Sequence, residues 1–145
     1  MEDTVLLGMK KRGFGEGKWN GFGGKVAEGE DSRMAAVREL EEESALVAQA
    51  GDLTQVGLIR FYFDNVPTIA CAVYLLSSWE GEPIETDEMR PEWFSINDLP
   101  YNAMWAADRE WVPMILSGRT ISADVYFSAD GSVVEKSMYT DTAFV

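Results

Sequence analysis

The sequence has no histidine, one cysteine and few basic residues, and each shortage excludes a class of protein. Without histidine the chain cannot use a histidine general base, a Ser-His-Asp triad or a His-ligated zinc, which leaves carboxylates as the acid–base and metal-binding groups. Cys71 alone cannot form an internal disulfide. Twelve Lys and Arg against 25 Asp and Glu give a net charge of −13, which argues against binding long DNA or RNA.

Long hydrophobic runs are also missing. No apolar stretch approaches the ~18 residues that span a membrane, and the N-terminus lacks the basic-then-apolar order of a signal peptide. We therefore expect a cytoplasmic protein with no membrane partner. With 145 residues, 46% of them hydrophobic, the chain is predicted to fold as one globular domain over residues 1–145.

Carboxylates are concentrated in residues 24–46, GKVAEGEDSRMAAVRELEEESAL. Asp31-Ser32 is a helix start signal, and helix formers follow it. Glu39, Glu42 and Glu43 then share one side of the predicted helix, where like charges destabilise it unless a cation lies among them. Mg²⁺ prefers such oxygen ligands and is usually held by one or two carboxylates together with substrate phosphates. A Glu-rich run taken alone is more often a solvated helix face.

A basic, glycine-rich loop precedes this acidic segment. Its cations are Lys10, Lys11, Arg12, Lys18 and Lys25. Six glycines between residues 13 and 24 allow its backbone to approach a ligand closely. Cations beside a metal-binding acidic cluster suit a small polyanion such as a nucleotide polyphosphate, although a solvated basic loop is an equally common reading.

The remaining pattern mixes strands with a second helix, which predicts an α/β fold. Asp64-Asn65 marks a turn between two strands, and Ala129-Asp130-Gly131-Ser132 marks a hairpin. The predicted strands are 4–9, 53–63, 67–76, part of 85–94, 123–128 and 133–140, and the second helix is 106–116.

The spacing of the acidic segment resembles the Nudix box. Gly24, Glu30, Arg38, Glu39, Leu40, Glu42, Glu43 and Leu46 match it, and Ala45 stands where the family has glycine. If residue 45 must adopt a left-handed conformation, alanine costs on the order of 1 kcal/mol there. The segments VLLGMKKRGFGEGKWNGFGGKVAEGE, TDEMRPEWF and MWAADREWVP narrow the resemblance to oxidised purine nucleoside triphosphatases, which hydrolyse 8-oxo-dGTP.

The resemblance implies a fold and a reaction. Nudix domains are α/β/α sandwiches around a mixed β-sheet. The implied reaction is Mg²⁺-dependent hydrolysis of a nucleoside triphosphate to a monophosphate and pyrophosphate, with Mn²⁺ as a substitute ion. Such an enzyme clears damaged nucleotides from the pool and thereby avoids DNA damage.

The resemblance also assigns roles to residues. It implies that Arg38 orients the carboxylates, that Glu30 assists it, and that Glu43 or Glu88 activates water. The implied metal ligands are Gly23 through its backbone carbonyl, Glu39, Glu42, Glu43 and Glu88. The implied substrate-binding residues are Lys10, Asn20, Phe61, Phe63, Met89, Trp105 and Asp108; core packing is an equal reading for the two phenylalanines.

Two departures from the family matter. Ala107 replaces the first of two adjacent aspartates, so one purine-reading carboxylate is missing. The family also has a further strand before residue 4, and an open sheet edge there could pair with a second copy of the chain or widen the pocket. The rival functions are hydrolysis of another nucleoside diphosphate derivative and nucleotide binding without turnover.

Overall fold

The computed structural model describes residues 3–23 and 28–144, so Gly24 and Lys25 lie outside the described residues. Within these ranges, no helix is long and apolar enough to cross a membrane. The elements in chain order are β1 (Thr4–Lys10), β2 (Trp19–Asn20), α1 (Ser32–Ser44), β3 (Leu53–Phe63), β4 (Val66–Leu76), β5 (Met89–Ser95), α2 (Asp108–Leu116), β6 (Ile121–Phe127) and β7 (Val134–Asp141).

The chain forms two compact units. The first unit comprises Met1–Leu53 and Leu76–Met104, and the second comprises Thr54–Leu75 and Trp105–Val145. The sequence-based prediction of one domain over residues 1–145 stays a prediction. Mixed strands and two helices confirm the predicted α/β class, with the strands divided between two sheets.

The first unit contains a three-stranded antiparallel sheet in the order β2-β1-β5. The register of β1 and β5 pairs Lys10 with Met89 and Gly8 with Pro91. A Cβ added to Gly8 would lie 2.6 Å from the end of the Met89 side chain and 2.9 Å from the Phe22 ring, so a larger residue here would have to displace one or both side chains. The sheet therefore fixes Met89 beside the end of the basic loop.

Helix α1, also in the first unit, begins as its sequence predicts. The Asp31 carboxylate accepts a hydrogen bond from the Met34 N–H at 2.8 Å and so satisfies a first-turn donor. The helix ends at Ala45, whose backbone is left-handed (φ 68°) and whose N–H donates to the Glu41 carbonyl. The expected cost of alanine in this conformation therefore applies.

The second unit holds nearly all of a mixed four-stranded sheet in the order β4-β3-β6-β7. Strands β3 and β6 run parallel, and β6 and β7 run antiparallel. Asp64 and Asn65 both have positive φ, as a two-residue hairpin turn between β3 and β4 requires. Alternate residues of β6 are fully buried: Ile121, Ala123, Val125 and Phe127.

Helix α2 packs against this β6 face of the second unit. Ala107 lies in one apolar cluster with Ile59 and Val125, and Ile115 lies in another with Ile121. Burying each large apolar side chain contributes roughly 1.5–3 kcal/mol, so these contacts anchor the short helix. Pro113 lies inside α2 and, because it has no N–H, removes one backbone hydrogen bond from the helix.

Candidate active site

Helix α1 carries Arg38, whose guanidinium contacts three of the predicted acidic residues. Arg38 makes two hydrogen bonds to Glu30, from Nε at 2.8 Å and from Nη2 at 3.0 Å. Its Nη1 lies 2.9 Å from Glu39 Oε1 and 3.3 Å from Glu42. The hydrogen bonds that Arg38 donates to Glu30, and then to Glu39, raise the pKa of Arg38, so it stays charged. We call Glu30, Glu39, Glu42, Glu43 and Glu88 the carboxylate cluster.

Open space borders this cluster on the first unit. A concavity of about 740 Å³ runs beside α1. It is lined by Glu30, Met34, Val37, Arg38, Glu41, Glu42 and Ala50.

Glu43 differs from the other glutamates because it is buried, with only 3% of its surface exposed. Its Oε1 accepts a hydrogen bond from the Gly23 N–H at 2.9 Å. Burial raises the pKa of Glu43 to about 7, although the Gly23 bond opposes the shift, and the nearby charge of Glu39 adds to it. An ionised Glu43 therefore gains more from a nearby cation than an exposed glutamate would.

Glu88 joins the cluster from the segment just before β5. Arg12 donates to Glu88 Oε1 from Nε at 3.0 Å, and the Lys10 ammonium lies 3.8 Å from Glu88 Oε2. The Arg12 hydrogen bond holds the pKa of Glu88 below its usual range. The charge of Glu88 also contributes to the raised pKa of Glu43, so the two carboxylates are close enough to interact.

The predicted substrate-binding residues fall in both units. In the first unit, Asn20 pairs in register with Gly8, and its side-chain amide lies 3.4 Å from the Lys18 carbonyl. Met89 is buried beside Gly8.

The second unit holds the aromatic members and Asp108. Phe61 and Phe63 stack on Phe127 at 5.9 and 5.1 Å, and Trp105 meets Phe63 edge-on at 6.1 Å. We call Phe61, Phe63, Trp105 and Phe127 the aromatic stack. Asp108, only 6% exposed, begins α2 three residues after Trp105. For Phe61 and Phe63, the observed contacts are those of core packing.

Comparison with known proteins decides the family. The sequence matches the NUDIX domain over residues 1–115. The chain belongs to the Nudix family.

Named relatives refine the comparison. A zebrafish (Danio rerio) oxidized purine nucleoside triphosphate hydrolase is 46% identical over 132 residues, which are 90% of this chain and 83% of that protein. The mouse (Mus musculus) protein of the same name is 41% identical, over 92% of this chain and 85% of that protein. A MutT protein crystal structure from Bacillus halodurans has 21% identity and a TM-score of 0.78, covering 94% of this chain and 90% of that one, which confirms the Nudix fold.

Membership makes the chain a Nudix pyrophosphohydrolase, a family that generally uses a divalent metal ion. The side chains fit such an ion, since Glu39, Glu42, Glu43 and Glu88 supply only hard oxygen donors and one of them is buried. In residues 3–23 and 28–144, no three carboxylates already converge as a ligand set. Arg38 and Arg12 hold three of them instead.

Ala107, the departure from the oxidised-purine branch, is fully buried in the apolar cluster of the second unit. Its methyl group packs among Ile59, Val125 and Phe127. The position therefore acts as core in this Nudix chain.

Sequence reasoning missed three contributors to the site, namely Arg12, Lys11 and Thr86. The sequence identifies Arg12 and Lys11 only as members of a basic loop, whereas in the structure Arg12 binds Glu88 and Lys11 binds Glu85 at 2.6 Å. Thr86 carried no signal beyond its place in the TDEMRP segment. The contacts of Lys11 and Arg12 join residues 74 and 76 apart along the chain, and the Thr86 hydroxyl contacts the Glu43 carbonyl, 43 residues away, so spacing cannot show them.

Proposed function

We propose that this Nudix enzyme hydrolyses oxidised purine nucleoside triphosphates, such as 8-oxo-dGTP, to the monophosphate and pyrophosphate with Mg²⁺. The observation that carries the proposal is the carboxylate cluster with its buried Glu43 and its Arg38 anchor. The substrate class is favoured by the names of the zebrafish and mouse relatives. These products require that the bridging P–O bond between the α- and β-phosphates breaks while a water oxygen forms the new bond to phosphorus, so that the monophosphate and pyrophosphate are released.

Glu39, Glu42, Glu43, Glu88 and the Gly23 carbonyl would hold the ion. When bound, it would neutralise the charge that develops on the phosphate oxygens. Mn²⁺ has the same oxygen preference and would serve in its place.

The protein residues have separate tasks. Glu43, fixed by the Gly23 N–H, would accept the proton of the attacking water, with Glu88 as the alternative base. Arg38 would keep the helix carboxylates oriented, and Lys10 would bind phosphate oxygens.

Base recognition would use polar groups against apolar walls. Asn20 offers a donor and an acceptor to a purine edge, and Asp108 accepts from ring or exocyclic N–H groups. Trp105 offers a stacking face. Phe61 and Phe63 of the second unit would supply apolar contacts, and so would Met89 of the first unit.

The test is pyrophosphate release from 8-oxo-dGTP, 2-hydroxy-dATP, dGTP and dATP, compared as kcat/KM with Mg²⁺ and with Mn²⁺. We expect at least a tenfold preference for one oxidised purine, the size of one lost or gained buried hydrogen bond. Equal, slow turnover of all four would overturn the substrate assignment.

Hydrolysis of another nucleoside diphosphate derivative is the second candidate, because Ala107 supplies no second carboxylate to bind a purine edge. Without the second carboxylate, discrimination of the purine edge rests on fewer hydrogen bonds. Faster turnover of a nucleoside diphosphate sugar or dinucleotide than of any triphosphate would establish this candidate.

Self-association through a sheet edge stays a prediction. Strands β4 and β7 form the two edges of the four-stranded sheet. Light scattering across a protein concentration series would test it, with a constant monomer mass as the contradicting result.

A further inference from the structure

Thr86 lies in the segment between Leu76 and Met89, within the first unit, and contacts the end of α1. Its hydroxyl donates to the Glu43 carbonyl at 3.0 Å. The same oxygen accepts from the N–H groups of Glu88 and Met89, both at 3.2 Å. A threonine hydroxyl has one donor and two acceptor sites, so all three are used.

The hydrogen bond from the Thr86 hydroxyl to the Glu43 carbonyl lies at the C-terminal end of α1. The last carbonyls of an α-helix lack partners within the helix and must be satisfied from outside. Here the Ile84 N–H binds the Ser44 carbonyl at 2.9 Å, and the Thr86 hydroxyl binds the Glu43 carbonyl. The segment 84–86 therefore docks directly on the turn of α1 that carries Glu43.

The same hydroxyl shapes the turn that carries Glu88. The Thr86 N–H donates to the Met89 carbonyl at 2.9 Å, which closes the turn. Lys11 holds it from the basic loop, because its ammonium donates to the Thr86 carbonyl at 2.8 Å and its N–H donates to the Glu88 carbonyl at 2.9 Å. The Thr86 hydroxyl, which accepts from both Glu88 and Met89, thus acts together with these bonds to set the directions in which the two residues leave the turn.

We propose that Thr86 is a positioning residue that fixes the backbones of Glu43, Glu88 and Met89 relative to one another. The inference rests on the proposed roles of Glu43 and Glu88. Thr86 acts through these residues and does not itself touch the substrate. Since a displacement of ~1 Å can lower a rate about 100-fold, loss of this oxygen is expected to affect turnover more than folding.

The decisive variants are Thr86→Val, which keeps the shape and removes the oxygen, and Thr86→Ser, which keeps the oxygen. Thr142→Val is the matched control, since its hydroxyl makes only an exposed bond to the Thr140 carbonyl. With the best nucleotide substrate and Mg²⁺, we expect kcat to fall about 10- to 100-fold for Thr86→Val, with KM changing less. Thr86→Ser should stay within about threefold of the parent protein, and Thr142→Val should match it.

A second readout needs no turnover. In metal-free protein, amide hydrogen exchange measured by NMR should accelerate at Glu88 and Met89 in Thr86→Val, by tenfold or more. The Ile84 amide is the internal control, since its bond to the Ser44 carbonyl does not involve the hydroxyl. Thr86→Ala replaces Thr86→Val if the valine variant does not fold.

Each outcome decides the question. Unchanged exchange at Glu88 and Met89 would overturn the inference, as would a serine variant as defective as the valine variant. Faster exchange throughout the first unit with a lowered melting temperature would show a purely structural role and would also overturn it. If the parent protein hydrolyses no nucleotide, the proposed function fails, while the exchange measurement still decides the role of Thr86.

Discussion

Different interactions stabilise the carboxylate cluster of the first unit and the aromatic stack of the second unit, each considered by itself. In the cluster, Arg38 and Arg12 fix the glutamates through directional hydrogen bonds at or near the surface. In the stack, Phe63 and Trp105 are fixed by contact with the buried ring of Phe127. Substitutions in the carboxylate cluster should therefore lower catalytic activity with little loss of stability. Substitutions beside the aromatic stack should mainly lower the free energy of unfolding.

The largest effect on activity is expected from a substitution in the carboxylate cluster. Glu43→Gln should lower kcat/KM by about 10²- to 10⁴-fold, the usual contribution of a positioned general base, while nucleotide binding remains measurable. Glu41→Gln, an exposed glutamate of the same helix, is the matched control. Steady-state kinetics and isothermal titration calorimetry give the two readouts, and unchanged activity would remove Glu43 from the mechanism.

Ala107→Asp tests the apolar cluster beside the aromatic stack of the second unit. A carboxylate forced into the apolar cluster around Val125 should lower the free energy of unfolding by about 3 kcal/mol or more, measured by urea denaturation. Ala143→Asp adds the same charge at an exposed site. Full stability with a sharper preference for one purine would show instead that position 107 faces the substrate.

Arg38→Gln should have a smaller effect on activity than loss of Glu43. The carboxylates remain, but their orientation is lost, and such outer partners are usually worth 10- to 100-fold in activity or metal affinity. Arg119→Gln is the control, because it breaks only an exposed ion pair with Asp141. A loss equal to that of the control would mean that Arg38 does not order the cluster.

Ala45→Gly should stabilise the protein by about 1 kcal/mol, because glycine removes the left-handed strain at the end of α1. The same substitution at Ala36, inside the right-handed helix, should destabilise it by about the same amount. Thermal or urea unfolding of both variants measures the difference in sign. Destabilisation by both would show that residue 45 is not strained.

The smallest effect concerns Asp130 in the β6–β7 hairpin. Hydrogen bonds from the Ser132 N–H and hydroxyl, and then from Ser128, lower the pKa of Asp130 to about 2. A lowered pKa in the folded state contributes stability above the unfolded-state value near 3.9, and that contribution is lost as the pH falls toward 2.

Asp130→Asn should therefore lower the melting temperature slightly at pH 6, and its difference from the parent protein should shrink between pH 4 and pH 2. Asp141→Asn, whose carboxylate is exposed beside Arg119, provides the comparison. A difference that stays constant across this pH range would contradict the assignment.

The sequence predicted the parts of the molecule that depend on local spacing. The Asp31 cap and the Asp64-Asn65 turn follow from residues a few positions apart, and the structure shows both. Of the three glutamates predicted to share one side of α1, Glu39 and Glu42 both contact Arg38, whereas Glu43 is buried and binds the Gly23 N–H. The ion pairs that Arg38 was expected to make are present. The catalytic and ligand roles stay predictions.

What the sequence could not predict depends on tertiary contacts. Strand β2 is two residues long and carries no periodicity, so it was missed. Nothing in the spacing places Arg12 on Glu88 or the Thr86 hydroxyl on Glu43. The burial of Ala107 was equally hidden, because alanine suits both surface and core.

The distribution of the Arg38 hydrogen bonds would affect how much the proposed site must rearrange when it binds a metal ion. Two of its nitrogens are committed to Glu30, which lies outside α1, and Nη1 is shared by Glu39 and Glu42. In the proposed metal site, the guanidinium would therefore stay anchored when either helix carboxylate rotates toward an ion. Ligand exchange would then need only side-chain rotation and would not loosen the helix.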